Sequence, residues 1–347
     1  MLLKSLSQLN FRNLLTPRFE FSEDITAIVG QNAAGKSNLL DALYLGCTGD
    51  LPSGKIIESV RIGEEEGFVG VKIERDDGIS TVEIGLAPSR KVVRLDGQNV
   101  RSVDVAKVSA AVLVTPEDTD LIHGSPSGRR AYLDGLLGKL SLRYALLLRE
   151  YNRVVDQRNA ALKTFQDPTL EVWTSRFLEL GTEILSVRER AMIRIAEIAG
   201  ATYSDIAGDG KALGVSLAKG EAAPSLEEQL NESHHEERAR GVTVVGPHRD
   251  DLALTLDGHS VQAYGSRGEA RTTSLALRVA EYQLLLEKHG EAPILLLDDF
   301  TAELDANRRA YLLDLAANTP QAIVSGTETP PQYGALFHVS GGSFREG

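Results

Sequence analysis

One short segment constrains this chain more than any other. Residues 30–37 read Gly-Gln-Asn-Ala-Ala-Gly-Lys-Ser, which matches the glycine-rich pattern GxxxxGK[ST] in full. Residues 25–29 before it have the composition of a short buried strand, and residues 38–45 after it carry apolar side chains at helical spacing. Strand, glycine loop and helix therefore follow one another in the order that a phosphate-binding loop requires.

The residue types of this loop suit a polyphosphate. Several backbone N–H groups must converge on the phosphates, which requires glycines where the chain turns tightly, and the following helix adds the positive end of its dipole. Lys36 is predicted to reach the β and γ phosphates of ATP, and the Ser37 hydroxyl to bind Mg²⁺. The candidate nucleotide-binding residues of this segment are Gly30, Gln31, Asn32, Ala33, Ala34, Gly35, Lys36, Ser37 and Asn38.

A second segment supplies carboxylates. Residues 294–297 form an apolar run that ends in Asp298 and Asp299, the form of a Walker B segment. A parallel core strand is apolar on both faces, and ligands bind at the carboxyl ends of such strands. Asp298 is predicted to hold Mg²⁺, and Asp299 to orient or deprotonate the attacking water. A helix N-cap or a pair of loop carboxylates is the alternative.

Composition narrows the possible partners. Of the 347 residues, 42% are hydrophobic and 25% charged, as in ordinary globular proteins. No apolar run is long enough to span a bilayer and the first residues lack a secretory signal, so a cytoplasmic location with no membrane partner is expected. The net charge of −12 argues against a chain that coats nucleic acid with its whole surface. If the protein binds DNA, it must do so through a local basic patch. Residues 129–194 hold 12 Lys and Arg against 8 Asp and Glu, which indicates either such a patch or a solvated helical face.

The pattern along the chain predicts an α/β protein. A β-meander occupies about 68–114, with turns at Asp76–Gly78 and Asp96–Gly97. Residues 119–240 read as an inserted helical lobe, and after residue 241 strands and helices alternate again. This second part includes a hairpin of 252–256 with 260–263 and a helix from about 267 to 289. The simplest architecture is an ATPase core built from residues 1–118 and 241–347.

Residues 266–269, Ser-Arg-Gly-Glu, open this helix shortly before the Walker B strand. The segment resembles the signature segment of the ABC-type ATPase superfamily, and Glu303-Leu304-Asp305 resembles its D-loop. The resemblance implies an ABC-type P-loop core formed by both chain ends. It also implies that Ser266 and Gly268 bind the γ-phosphate held by a second subunit, with Asp305 near that nucleotide. Alone, Ser-x-Gly before a helix is more often an N-cap.

Further motifs resemble the RecF family of bacterial recombination proteins, and they cover nearly the whole chain. They are Phe11-Arg12-Asn13, Pro116-Glu117-Asp118, residues 126–134, Gly246 to Leu252, Ser266 to Gly268 and Leu297 to Phe300. The resemblance implies an ATP-dependent homodimer that binds duplex, gapped or junction DNA and, with RecR and RecO, helps to load RecA. It implies a weak, slow, DNA-dependent ATPase that acts as a switch, with Arg12 and Asn13 near the nucleotide. Arg129 and Arg130 either contact DNA or brace the lobe.

Three residues depart from the superfamily pattern. Ala33 stands where a glycine is common, which adds strain of about 1 kcal/mol if φ is positive there. Glu269 replaces a frequent glutamine and adds negative charge near the phosphates. Asp299 is shorter than the usual glutamate, which agrees with slow hydrolysis. No histidine switch follows the last core strand, where Ser325-Gly326-Thr327 stands.

Two other functions remain open at this point. A transporter-type ATPase subunit would need a membrane partner and would bind no DNA. A small-molecule P-loop kinase would place phosphate donor and acceptor within one subunit, so ATP-induced dimerisation would argue against it.

Overall fold

The computed structural model describes residues 1–87, 90–164, 167–218, 224–299 and 305–347. They form two compact units, the first of residues 1–118 with 278–347 and the second of residues 119–277. Residues 241–277, which the sequence analysis assigned to the ATPase core, thus lie in the second unit. The functional division of the chain stays a prediction.

The strands of the described ranges carry the labels β1 to β15. They are β1 (Leu2–Leu9), β2 (Arg18–Glu20), β3 (Asp24–Val29), β4 (Gly67–Arg75), β5 (Gly78–Ala87), β6 (Arg90–Leu95), β7 (Gln98–Val100), β8 (Ala111–Val114), β9 (Leu213–Leu217), β10 (Leu252–Leu256), β11 (His259–Ser260), β12 (Ile294–Leu297), β13 (Gln321–Gly326), β14 (Ala335–Ser340) and β15 (Ser343–Glu346).

The helices of the same ranges carry the labels α1 to α9. They are α1 (Lys36–Thr48), α2 (Asp120–His123), α3 (Pro126–Leu140), α4 (Leu142–Lys163), α5 (Leu170–Ala207), α6 (Leu226–Arg240), α7 (Val261–Tyr264), α8 (Arg267–His289) and α9 (Ala306–Ala317). Among them, none is both long and apolar enough to cross a membrane.

Two six-stranded sheets form the first unit. An antiparallel sheet has the order β2-β1-β4-β5-β6-β7 and contains the predicted meander. The second sheet has the order β15-β14-β3-β13-β12-β8, in which only the β14–β15 pair is antiparallel. Strands from both ends of the chain thus share one sheet, and the predicted α/β fold class is confirmed.

Helix α1 packs against both sheets of this unit. Its apolar residues Leu39, Leu40 and Leu43 are fully buried. Gly46 lies so close to β4 that an added Cβ would approach Val71 Cγ1 to 2.4 Å. Cys47 on this helix is fully buried, and burial raises the pKa of its thiol to about 12. Packing on two sides therefore fixes the helix that begins at the glycine loop.

The second unit contains helices α3 to α6 and a three-stranded antiparallel sheet of order β11-β10-β9. The predicted helices are present, but the sequence analysis missed β9, whose pairing with β10 spans Leu213 to Leu217. The predicted hairpin is present, but its second strand is His259–Ser260, so the predicted strand residues 261–263 are wrong. The Ser260 hydroxyl accepts a hydrogen bond from the Ala263 N–H and starts the single turn α7.

A buried ion pair joins α4 to α6. Arg158 donates from Nη1 and Nη2 to the two carboxylate oxygens of Glu237 over 3.0 and 2.6 Å, and both side chains are almost fully buried. The Thr243 hydroxyl accepts a further hydrogen bond from Arg158 at 2.7 Å. The guanidinium also lies 5.2 Å from the centre of the Phe177 ring. Loss of one partner would leave a charge without compensation in this interior.

We therefore expect Arg158→Met to lower the free energy of unfolding by about 3–5 kcal/mol, because Glu237 would stay buried and unpaired. Urea unfolding followed by far-ultraviolet circular dichroism measures this. Arg176→Met is the matched control, since its pairs with Glu150 and Glu179 are partly exposed and are worth less than about 1 kcal/mol each. Equal losses for the two variants would contradict the assignment.

Candidate functional site

The glycine loop follows β3 and leads directly into α1. Gly30 is so closely packed that an added Cβ would lie 2.5 Å from the Val339 carbonyl oxygen. Gly35, with φ +115°, caps the start of the helix, and a Cβ there would lie 3.0 Å from Asn13 Oδ1. Both glycines are therefore required by the surroundings as well as by the turn.

Lys36 lies across this loop. Its ammonium group donates to the carbonyl oxygens of Gly30 at 2.8 Å and Gln31 at 3.0 Å, and the residue is 6% exposed. An ammonium group has three donors, so one remains for an anion beside the loop. The loop itself thus holds the charge in place.

Ala33 adopts the left-handed conformation, with φ +63°. The positive φ for which backbone strain was predicted at Ala33 is therefore present. An L-residue in this conformation costs roughly 1–2 kcal/mol, and the exposed position of Ala33 offers no burial in return.

The turn between β14 and β15 packs on the loop. The Gly342 N–H donates to the Ala34 carbonyl oxygen at 2.8 Å, and the Leu15 N–H donates to the Gly342 carbonyl oxygen at 2.8 Å. Gly342 has φ +81°, and an added Cβ would lie 1.9 Å from the Asn13 carbonyl oxygen. This turn therefore joins the carboxyl end of the chain to the glycine loop and to the segment around Asn13.

Arg12 and Asn13 lie beside the first turn of α1. Arg12 Nη1 donates to Asn38 Oδ1 at 2.9 Å and also pairs with Asp41. The Asn38 side-chain amide donates to Asn13 Oδ1 at 2.8 Å. Burial raises the pKa of Asp41, although Arg12 acts in the opposite direction. The structure therefore brings together Arg12, Asn13 and Asn38 beside the glycine loop, and their place near a nucleotide stays a prediction.

Asp298 and Asp299 follow β12 and face the end of β13. Because Leu297 is paired with Val324, Asp298 lies opposite Ser325. The buried Ser325 hydroxyl donates to Asp298 Oδ1 at 2.5 Å and accepts from the Asp299 N–H at 2.9 Å. Ser37 lies close enough to Asp298 to lower the pKa of its carboxyl group. One serine thus fixes both carboxylate residues, and another links them to the glycine loop.

The groups at this edge fit Mg²⁺. Burial raises the pKa of Asp298, and the nearby Glu117 and Asp299 raise it further, whereas hydrogen bonds with Ser325 and Ser37 lower it. A cation would offset this concentration of negative charge, and hydroxyl and carboxylate oxygens are its preferred ligands. In the described ranges no group of three or more His, Cys, Asp or Glu is arranged to hold a metal.

Ser266 and Glu269 form a reciprocal cap at the start of α8 in the second unit. The Ser266 N–H donates to Glu269 Oε2 at 2.6 Å, and the Ser266 hydroxyl accepts from the Glu269 N–H at 3.2 Å. The other carboxylate oxygen of Glu269 pairs with Lys211. Hydrogen bonds from Lys211 and Ser266 lower the pKa of Glu269 to about 2. Ser266 itself is exposed, and Gly268 lies in the same helical turn.

Asp305 is the N-cap of α9 and the first residue of the described range 305–347. Its side chain accepts from the Arg308 N–H at 3.0 Å and pairs with the Arg308 guanidinium. The other residues of the predicted D-loop, Glu303 and Leu304, lie outside the described residues, as does Phe300.

Arg129 and Arg130 both bind the segment that precedes β10. Arg129 donates from Nε and Nη2 to the two oxygens of Asp251 over 2.6 and 2.8 Å, and it is 4% exposed. Arg130 Nη1 donates to the Asp250 carbonyl oxygen at 2.6 Å. These contacts support the bracing role and give Arg129 no exposed donor face for DNA.

The segment 246–252 is also bound by α4 and α5. Arg188, which is 1% exposed, donates from Nη1 to Asp250 Oδ2 at 2.9 Å and to the Pro247 carbonyl oxygen at 2.8 Å. Tyr151 Oη and His248 Nδ1 are 2.7 Å apart. Burial lowers the pKa of His248 to about 4, so this histidine is neutral at pH 7. The motif therefore joins the helices of the second unit.

Sequence reasoning missed two residues of the first unit that hold the site, Ser325 and Gly342. Ser325 carried a usable signal, because a polar residue at the carboxyl end of an apolar strand lies where ligands bind. Gly342 carried none beyond its turn, since its contact with Asn13 joins opposite ends of the chain.

Comparison with known proteins identifies the family of this chain. Residues 2–330 match the family described as RecF/RecN/SMC N terminal domain. The DNA replication and repair protein RecF of Deinococcus radiodurans is 46% identical over 342 residues, which cover 99% of this chain and 95% of that protein. The protein of the same name from Deinococcus deserti is 45% identical, with the same coverage.

Solved structures show the same fold. The recombination mediator protein RecF-ATP in the RecFOR pathway superimposes with a TM-score of 0.92, at 29% identity, over 99% of this chain and 97% of that one. A Pyrococcus furiosus Smc head domain, 19% identical, has a TM-score of 0.57 over 99% of this chain and 95% of its own. The ABC-type ATPase fold is thereby confirmed, and the chain belongs to the RecF family of RecF/RecN/SMC proteins.

Proposed function

We propose that this protein binds ATP and Mg²⁺ at the glycine loop, dimerises around two nucleotides, and in that form binds DNA during recombinational repair. The observation that carries the proposal is that the Ser325 hydroxyl donates to Asp298 Oδ1 at 2.5 Å, while Ser37 of the glycine loop lies close enough to lower the pKa of the same carboxyl group. These two serines join the loop, β12 and β13 into one site with a metal-binding carboxylate beside a phosphate cradle. The RecF-ATP structure in this fold supports the choice of nucleotide.

Each residue of this edge has a separate task. Backbone N–H groups of residues 30–37 would bind the phosphates, and Lys36 would exchange its two carbonyl contacts for phosphate oxygens. Ser37 and Asp298 would hold Mg²⁺, which when bound neutralises charge on the β and γ phosphates. Asp299, whose N–H is fixed by Ser325, would orient the attacking water and accept its proton. Arg12, Asn13 and Asn38 would flank the nucleotide.

A second copy of the chain would complete the site. Ser266 and Gly268 lie at the start of α8, where a helix N-terminus favours an anion. The Ser266 oxygen accepts from the Glu269 N–H, so its own hydrogen can be donated to a γ-phosphate oxygen, and Asp305 would lie near the same nucleotide. Hydrolysis would remove this phosphate and weaken the dimer, so slow turnover would act as a release timer.

DNA and the proteins RecR, RecO and RecA are the proposed partners, in the cytoplasm. The relatives named as DNA replication and repair proteins and the RecFOR-pathway structures support this part. Arg149 and Arg153 are exposed one turn apart on α4, and no described residue forms an ion pair with either. Since Arg129 is buried, these two cations are better candidates for phosphate contacts.

The proposed function predicts that the protein assembles into a dimer with ATP. Light scattering of the wild-type protein with ATP and Mg²⁺ should give the mass of a dimer that binds a gapped duplex. Lys36→Met should abolish this by removing the phosphate contact, and Ser266→Arg should abolish it by blocking the opposite face, while leaving ATP binding to the monomer intact.

A protein that binds ATP but stays monomeric with and without DNA would overturn this proposal. Transfer of the γ-phosphate to a metabolite would then favour the kinase alternative. Dimerisation with ATP but without DNA binding would favour the transporter-type alternative.

The second prediction tests Ser325. In Ser325→Ala the Asp299 N–H and the Asp298 carboxylate lose a buried partner, a loss of about 1–3 kcal/mol. We expect ATP affinity in Mg²⁺ to fall about tenfold and affinity in EDTA to change little, as measured with a fluorescent ATP analogue. Ser340→Ala, an exposed serine on β14, is the control. Equal losses in Mg²⁺ and EDTA would exclude a role at the metal.

The third prediction compares two neighbouring glycines. Gly342→Ala should weaken ATP binding at least tenfold, because its Cβ would lie 1.9 Å from the Asn13 carbonyl oxygen and must displace the turn from the loop. Gly341 also has a positive φ, but an added Cβ has no neighbour within 4 Å. Gly341→Ala therefore controls for backbone strain of about 1 kcal/mol. Similar ATP affinities for both variants would show that this turn does not support the site.

A further inference from the structure

The start of α8 carries a negative charge beside the residue proposed to meet a phosphate. Glu269 lies in the same turn as Ser266, is 18% exposed, and its low pKa keeps it ionised at neutral pH. Two like charges at a dimer interface repel each other strongly unless one is compensated. An anionic residue here would therefore oppose the approach of the partner's triphosphate.

Lys211 supplies the compensating charge. Its ammonium group pairs with Glu269 Oε1, while Glu269 Oε2 is occupied by the Ser266 N–H. The two contacts together hold the carboxylate against the helix start. The pair raises the pKa of Lys211 as well, so both members stay charged and their sum is neutral.

The position of Lys211 is fixed by backbone contacts. The Lys211 N–H donates to Asp209 Oδ1 at 3.1 Å, and the Ala212 N–H donates to Asp257 Oδ1 at 3.0 Å in the β10–β11 turn. The lysine lies two residues before β9, whose pairing with β10 ties this loop to the sheet. The side chain therefore reaches Glu269 from an anchored loop 58 residues away in sequence.

We infer that Lys211 is a positioning residue for ATP-dependent dimerisation, which cancels the charge of Glu269 and lets Ser266 face the γ-phosphate of a second copy. The inference rests on the proposed function, since it requires nucleotide between two subunits. Glu269 keeps its capping contact with Ser266, and Lys211 removes the repulsion that this contact would otherwise bring to the interface.

A double-mutant cycle tests the inference. The dimer dissociation constant would be measured by light scattering in ATP and Mg²⁺ for wild type, Lys211→Met, Glu269→Gln and the double variant. Lys211→Met should weaken the dimer about fivefold or more, because each of two sites gains an unpaired carboxylate. The double variant should return to within about twofold of wild type, because glutamine can still cap Ser266 without charge. The loss in Lys211→Met should shrink in high salt.

Thermal unfolding without nucleotide separates this role from a structural one. A purely structural pair would lower the unfolding temperature of both single variants and leave the dimer constant unchanged, which would overturn the inference. Lys163→Met, at an exposed lysine of α4, should leave the dimer constant unchanged. A wild-type protein that binds ATP without dimerising would instead refute the proposed function itself.

Discussion

The parallel alignment of β3, β12 and β13 is the constraint on which the rest of the structure depends. It brings three strand ends, far apart in sequence, to one edge of the mixed sheet, so that the glycine loop, Asp298 and Ser325 meet there. Carboxylates are costly to hold near one another, and the hydroxyl groups of Ser325 and Ser37 lower the pKa of Asp298 and so favour its charged form. Asp298 can therefore present a negative charge to a metal ion, which would in turn bind the polyphosphate.

Much of this edge could be predicted because its determinants are local. A short apolar run before glycines or carboxylates is typical of a buried strand that ends at a ligand site in an α/β protein, and residues 25–37 and 294–299 carry that pattern. The long helix α8 was likewise correct at both ends, since its cap and its apolar spacing lie within the helix itself.

The parts that could not be predicted depend on pairing across the chain. The alternation of β9 is short and lies between glycines, and its partner β10 begins 35 residues after it ends. The first strand, β1, pairs with its neighbour β2 and also with β4, which lies much later in the sequence. Gly342 and Lys211 matter through Asn13 and Glu269, contacts that no local pattern encodes. Such residues become visible only when the sheets are assembled.

The start of α8 shows why a structural and a functional interpretation of one motif need not compete. Ser266 accepts from the Glu269 N–H, as an N-cap does, and its hydroxyl hydrogen is not used in that bond. An exposed serine with its acceptor role satisfied is a preorganised donor, which loses little entropy when an anion arrives. In the proposed dimer the cap would therefore prepare the contact with a phosphate, and the Lys211–Glu269 pair would remove the repulsion that opposes its approach.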